Sequence, residues 1–156
     1  MEKVTACALA RLLDYEEWAN NETAAALAAS GFAHEHRTRK IFAHIGATYT
    51  LWLSRLHLCP AIDVWPDPRT VDASALLASG YAMWRSLLNR DESFWSTSIT
   101  YSNSKGETWS NTPRDIFTHI QLHSSYHRGQ IAILFGHEGQ TPAYTDFIEG
   151  ARRSQF

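Results

Sequence analysis

The sequence predicts an all-α fold: an antiparallel four-helix bundle with a short β-hairpin inserted before the fourth helix and a short helix at the C-terminus. Three observations carry this. Four long segments repeat apolar residues at a helical period, one stretch of Thr, Ser, Ile, Tyr and Trp reads as paired strands, and Gly or Pro stands at the junctions. From about Val4 to Ser30 the chain is rich in Ala and Leu, with Ala8, Leu12, Tyr15, Ala19 and Ala26 near helical spacing and Gly31 as the stop. A second helix starts near Arg37 to Arg39, runs through Ile41, His44, Ile45, Thr48, Leu51, Trp52 and Leu56, and must end by Pro60. Pro60, Pro66 and Pro68 make the segment 60–70 an irregular connection. The third helix, from about Asp72 to Arg90, has Leu76, Leu77, Met83, Trp84, Leu87 and Leu88 as its apolar stripe.

Between Thr97 and Asn111 the pattern changes, and Asn103-Ser-Lys-Gly106 supplies the turn of a hairpin. Thr112-Pro113-Arg114-Asp115 then opens the fourth helix. Threonine caps, proline suits the first helical position, and the aspartate sits at the positive end of the dipole. This helix is expected to reach Phe135 or Gly136. Beyond Gly139 and Pro142, Thr145 to Arg153 reads as the terminal helix.

A chain of 156 residues, 44% of them hydrophobic, fits one domain spanning 1–156 with a real core. The formal net charge of −2 gives no basic stripe for a phosphate backbone, so no nucleic-acid partner is expected. Cys7 and Cys59 form no Cys-x-x-Cys motif, which fits a reducing compartment. The first ten residues lack a long apolar core and run into Arg11, Asp14, Glu16 and Glu17, so neither a signal peptide nor a membrane span is expected. The expectation is a cytoplasmic protein without a membrane partner.

The feature that points to chemistry is the run His119, His123 and His127 at strict four-residue spacing. Four-residue steps keep the three imidazoles on one helix face, where a neighbouring pair can grip a single metal ion. His119 and His127 lie about 12 Å apart along the axis, too far for bonds of about 2.1 Å to one ion. Only an adjacent pair can serve, and a third ligand must come from elsewhere: His34, His36, His44, His57, His137 or a carboxylate. Of these histidines only His44 lies deep within a helix, beside Phe42, Ile45 and Leu51. The other four sit near element ends and are expected to face solvent.

Four segments in order, Tyr15-Glu-Glu-Trp-Ala-Asn-Asn21, Ile41-Phe-Ala-His-Ile45, His123-Ser-Ser-Tyr-His-Arg-Gly-Gln130 and Thr145-Asp-Phe-Ile148, resemble the DinB family of bacterial four-helix-bundle proteins, including its YfiT-like metal-dependent hydrolases. The resemblance spans nearly the whole chain. It implies that His44, His123 and His127 hold one divalent ion, zinc or nickel above all, with iron or manganese as alternatives. His119 then lies one turn back, as a residue that orients a ligand or relays a proton. The resemblance further implies a homodimer and a small-molecule substrate, with a low-molecular-weight thiol as a cosubstrate in the transferase branch.

Three neutral imidazoles would leave a coordination position open, as in catalytic rather than structural sites. Such an ion lowers the pKa of a water to about 7 or stabilises a thiolate, so hydrolysis and thiol transfer are both accessible. There is no His-Glu-x-x-His, Gly-x-Ser-x-Gly or phosphate-binding glycine loop. The base would be a group on the ion itself, His119, or a carboxylate such as Glu22. The sequence thus predicts a metal-dependent enzyme of hydrolase or thiol-dependent S-transferase type, and as its alternative a non-catalytic, stress-associated bundle that binds metal or ligand. Arg128 is expected to pair with a carboxylate such as Asp146, and Gly129 to permit close helix approach. One of Asn20 and Asn21 should carry a buried hydrogen-bonding task. Trp18 and Tyr126 are the aromatic residues expected to reach a pocket wall.

Overall fold

The computed structural model describes residues 3–30, 36–103 and 105–156. Among them the chain forms six helices and one two-stranded antiparallel sheet: α1 Lys3–Ala29, α2 His36–Arg55, α3 Ala73–Leu87, α4 Glu92–Ser96, β1 Ile99–Ser102, β2 Thr108–Asn111, α5 Pro113–His137 and α6 Phe147–Arg152. The long helices fall within a few residues of their sequence-predicted limits. The third stops at Leu87, and beyond it Asp91 caps α4, a helix the sequence did not predict because five residues are too few to show a period of their own.

Each long helix buries a stripe. On α1 this is Leu9, Leu13, Glu16, Asn20, Thr23 and Leu27, and on α5 it is Ile116, Phe117, Ile120, Ser124, His127, Ile131 and Phe135. These offsets of three and four residues keep one face inward. Helix α2 packs against both α3 and α5, and α1 packs against the same two helices, which is why α2 is buried continuously from Ile41 to Tyr49. The α2–α3 contact is close because Gly80 has no side chain: a Cβ there would stand 2.6 Å from the Cβ of Tyr49. Trp84, Trp95, Phe117, Phe135, Leu13, Ile45 and Leu53 are fully buried and form the apolar centre.

Helix α5 begins as its sequence demands. The Thr112 hydroxyl accepts from the Asp115 amide at 3.2 Å, and the Asp115 carboxylate accepts from the Thr112 amide at 3.2 Å, a reciprocal cap that sets the helix start and hence the phase of its histidines. The hairpin pairs Tyr101 with Trp109. In its turn the Asn103 side chain accepts from the Lys105 and Glu107 amides, while Gly106 takes a φ of 79°.

Candidate metal centre

His44 stands on the inward face of α2, and His123 and His127 stand one turn apart on α5, facing it. Their rings meet edge to face, and the Nε2 of His123 lies 3.2 Å from the Nε2 of His44 and 3.2 Å from that of His127. Nitrogens bound to one ion at about 2.1 Å are about 3.0–3.4 Å apart, the range between octahedral and tetrahedral angles. The three ligand atoms all lie within 4.8 Å of one another and could hold one metal ion.

The outer nitrogens fix the orientation. His44 Nδ1 lies 2.6 Å from the Val64 carbonyl oxygen, which can only accept, so Nδ1 carries the hydrogen and Nε2 keeps its lone pair. His127 Nδ1 makes the equivalent bond to Gln130 Oε1 at 2.8 Å. Two lone pairs therefore point at the same spot beside a third ring nitrogen. Lone pairs gathered so closely repel unless a cation or a proton lies between them, so the donor set fits a divalent ion. Protonation is the weaker option. Burial pushes the His44 ring down to about 4, against the Val64 bond and helped by nearby His127. Burial, then the His127 and His44 rings, push His123 to about 3, and burial lowers His127 as well. At neutral pH all three are in the uncharged form that ligates metal.

Trp65, from the proline-rich connection, stacks on the His44 ring with centroids 3.6 Å apart and planes 4° from parallel. It holds the ring in place while remaining partly exposed.

Beneath the cluster lies a buried polar network. Arg128 donates to both oxygens of Glu16 at 2.7 and 2.8 Å, and its two amino groups also reach Asn20 Oδ1, Ser124 Oγ and the Tyr15 hydroxyl. Asn20 donates to the Tyr81 hydroxyl at 2.8 Å, and the Tyr49 hydroxyl donates to Glu16 at 3.3 Å. The network thus joins α1, α2, α3 and α5 one residue beyond a ligand. Tyr15 extends it by donating to the Thr145 carbonyl at 2.9 Å, tying down the chain ahead of α6.

The sequence model of the DinB family matches residues 3–154. The chain belongs to the DinB family. No curated protein and no solved structure matches it.

Within this DinB chain, His119 lies outside the cluster. Its ring centroid is 5.3 Å from that of His123 and 5.3 Å from that of Trp52, at a half-open cleft wall. His36, His57 and His137 are exposed, and His34 lies outside the described residues. Glu22 is exposed and Asn21 likewise, whereas Asn20 is the buried asparagine.

Two expectations change. Arg128 pairs with Glu16 on α1 rather than Asp146, because its position on α5 turns it toward the buried core; Asp146 instead caps α6 by accepting from the Ile148 amide. Gly129 faces outward, and among the described residues nothing stands within 4 Å of a Cβ placed there. Trp18 does reach a cleft wall, with Asp14, Glu17 and Phe156, on α1 and the C-terminal segment, while Tyr126 touches the His127 ring from an exposed position. The aromatic residue against the cluster is Trp65, which had no helical period to mark it. Gln130 carried a readable signal: three residues after His127, it shares the face of that ligand.

Proposed function

We propose that His44, His123 and His127 hold one divalent ion, zinc or nickel before iron or manganese, and that this single-domain protein is a metal-dependent enzyme acting on a small molecule by hydrolysis or thiol-dependent S-transfer. The observation that carries the reading is the convergence of three Nε2 atoms, two of them with their Nδ1 atoms bonded to Val64 and Gln130. Among the described residues no fourth His, Cys, Asp or Glu joins the group, which favours an exchangeable position over a closed structural site. When bound, the ion would supply Lewis acidity for polarising a carbonyl or activating a water or thiol. The residues supply the rest. Val64 and Gln130 hold two rings in the ligating tautomer, Trp65 packs one of them, and the Arg128–Glu16 network anchors α5 against α1.

On this reading α1, α2, α3 and α5 form an antiparallel four-helix bundle, with the site between α2 and α5. A cytoplasmic homodimer belongs to the same proposal. It is supported by the row Leu122, Tyr126 and Ile133 on the outer face of α5, 68%, 66% and 61% exposed, beside the side-chain-free Gly129. Among the described residues no helix is long and apolar enough to cross a membrane.

The test is turnover of a panel of amide, ester and alkyl-halide electrophiles by zinc- or nickel-loaded protein, with and without cellular thiols. Activity that vanishes in His123→Ala supports the enzyme reading; equal activity in that variant contradicts it.

A further inference from the structure

Two of the contacts on the His44 ring come from consecutive residues of the connection between α2 and α3. The Val64 carbonyl oxygen lies 2.6 Å from Nδ1, and the Trp65 ring lies flat on the imidazole with centroids 3.6 Å apart. A bond at the edge of a ring and a stack on its face restrain different things: the first decides which nitrogen carries the hydrogen, and the second limits the tilt of the plane. Both groups hang from one dipeptide, so the backbone at residues 64 and 65 sets their spacing. His127 differs, because its acceptor Gln130 stands three residues on in the same helix and no other segment has to be positioned.

That dipeptide is restrained from both sides. The Asp63 carboxylate accepts from the Trp65 amide at 2.9 Å and closes a turn around Val64. On the far side Pro66 is buried, and a proline disfavours a helical backbone in the residue before it. Asp63 is itself exposed and pairs with no cation among the described residues, so the bond to the Trp65 amide is no by-product of an ion pair.

We propose that Asp63 is a positioning residue of the metal centre, acting on His44 through the Val64 carbonyl and the Trp65 ring, and that the Trp65 stack favours the loaded site over the empty one. The effect on metal rests on the metal-centre reading; the hold on His44 does not. An imidazole that ligates a cation becomes electron-poor, and the electron-rich face of an indole suits it better than an aliphatic side chain does.

Zinc affinity by chelator competition and the His44 tautomer, read from nitrogen–proton NMR correlations of the metal-free protein, separate the contributions. Asp63→Ala should weaken zinc at least about fivefold and let the Nε2–H tautomer of His44 appear, with unchanged circular dichroism. Asp63→Asn keeps an acceptor oxygen and should stay within about twofold of wild type. Trp65→Leu should lose about tenfold or more, and Trp65→Phe less. Unchanged affinity in Asp63→Ala, or a loss that Asp63→Asn shares in full, overturns the role of Asp63. Equal affinities in Trp65→Leu and Trp65→Phe overturn that of the stack. A tautomer that shifts in Asp63→Ala, in a protein that takes up no zinc, would sustain the hold on His44 while removing the metal-centre reading. Zinc lost in His44→Ala but kept in Asp63→Ala would do the reverse.

Discussion

Arg128 and Glu16 meet in a two-bond fork at 2.7 and 2.8 Å with side chains only 3% and 0% exposed, so the residue after a candidate ligand is locked to the first helix. A buried pair of this kind is costly to desolvate and is held by its supplementary bonds. Breaking it leaves an unpaired charge in the core. Arg128→Met should therefore destabilise the protein by about 3–5 kcal/mol in urea unfolding. The double variant Arg128→Met, Glu16→Leu should recover most of that loss. A single variant within about 0.5 kcal/mol of wild type would show that the network is structurally idle.

The bond from His127 to Gln130 predicts a separate effect on metal affinity. Gln130→Leu removes the acceptor that fixes the ligating tautomer without touching a ligand. Outer-shell losses of this type cost about 10–100-fold in affinity, to be measured by competition with a chromophoric chelator. Unchanged affinity would mean that the ring orients itself through packing alone.

Metal retention should extend to unusually low pH. Protons compete with the ion only when the ligand rings titrate, and burial holds His44 near 4 and His123 near 3, below the 6.5 of a free imidazole. The sign follows: from pH 7 down to about 5 the bound form should persist, with release below that, whereas unshifted histidines would release the ion from about 6.5 downward. Equilibrium dialysis at stepped pH reads the midpoint. In the metal-free protein the same shifts make the unfolded chain bind more protons, so stability should fall as pH drops from about 6.5 toward 4.

Two glycines should respond oppositely to alanine. Gly80→Ala drives a methyl against Tyr49, at 2.6 Å from its Cβ, and should cost about 1–3 kcal/mol. Gly129→Ala adds its methyl in open space within a helix and should stabilise the folded chain by about 0.5–1 kcal/mol. Thermal unfolding distinguishes them, and a Gly129→Ala whose destabilisation grows with protein concentration would place a second copy against that face.

What could be read in advance was local. The Thr112 cap, the hairpin turn at Asn103 and the helix spans depend on neighbours within four residues, and the four-residue histidine spacing survives as a pair of converging rings. What escaped depends on how helices rotate against one another. Asp146 seemed a fair partner for Arg128 because it is acidic and near the C-terminus, but only the α1–α5 packing decides that Glu16 faces the guanidinium. Trp65 sits in an irregular proline-rich segment whose path no periodicity reveals, yet it covers His44. Helix α4 escaped because five residues give too little pattern. His44 itself was brought to the pair by the family resemblance; spacing alone left several histidines open.

The central claim is that His44, His123 and His127 act together on one ion. Elemental analysis of protein purified without chelators should find about one divalent ion per chain in the wild type and in His119→Ala. His44→Ala, His123→Ala and His127→Ala should each lose it. Full occupancy in His44→Ala, or loss in His119→Ala equal to that of the other three, would contradict the account.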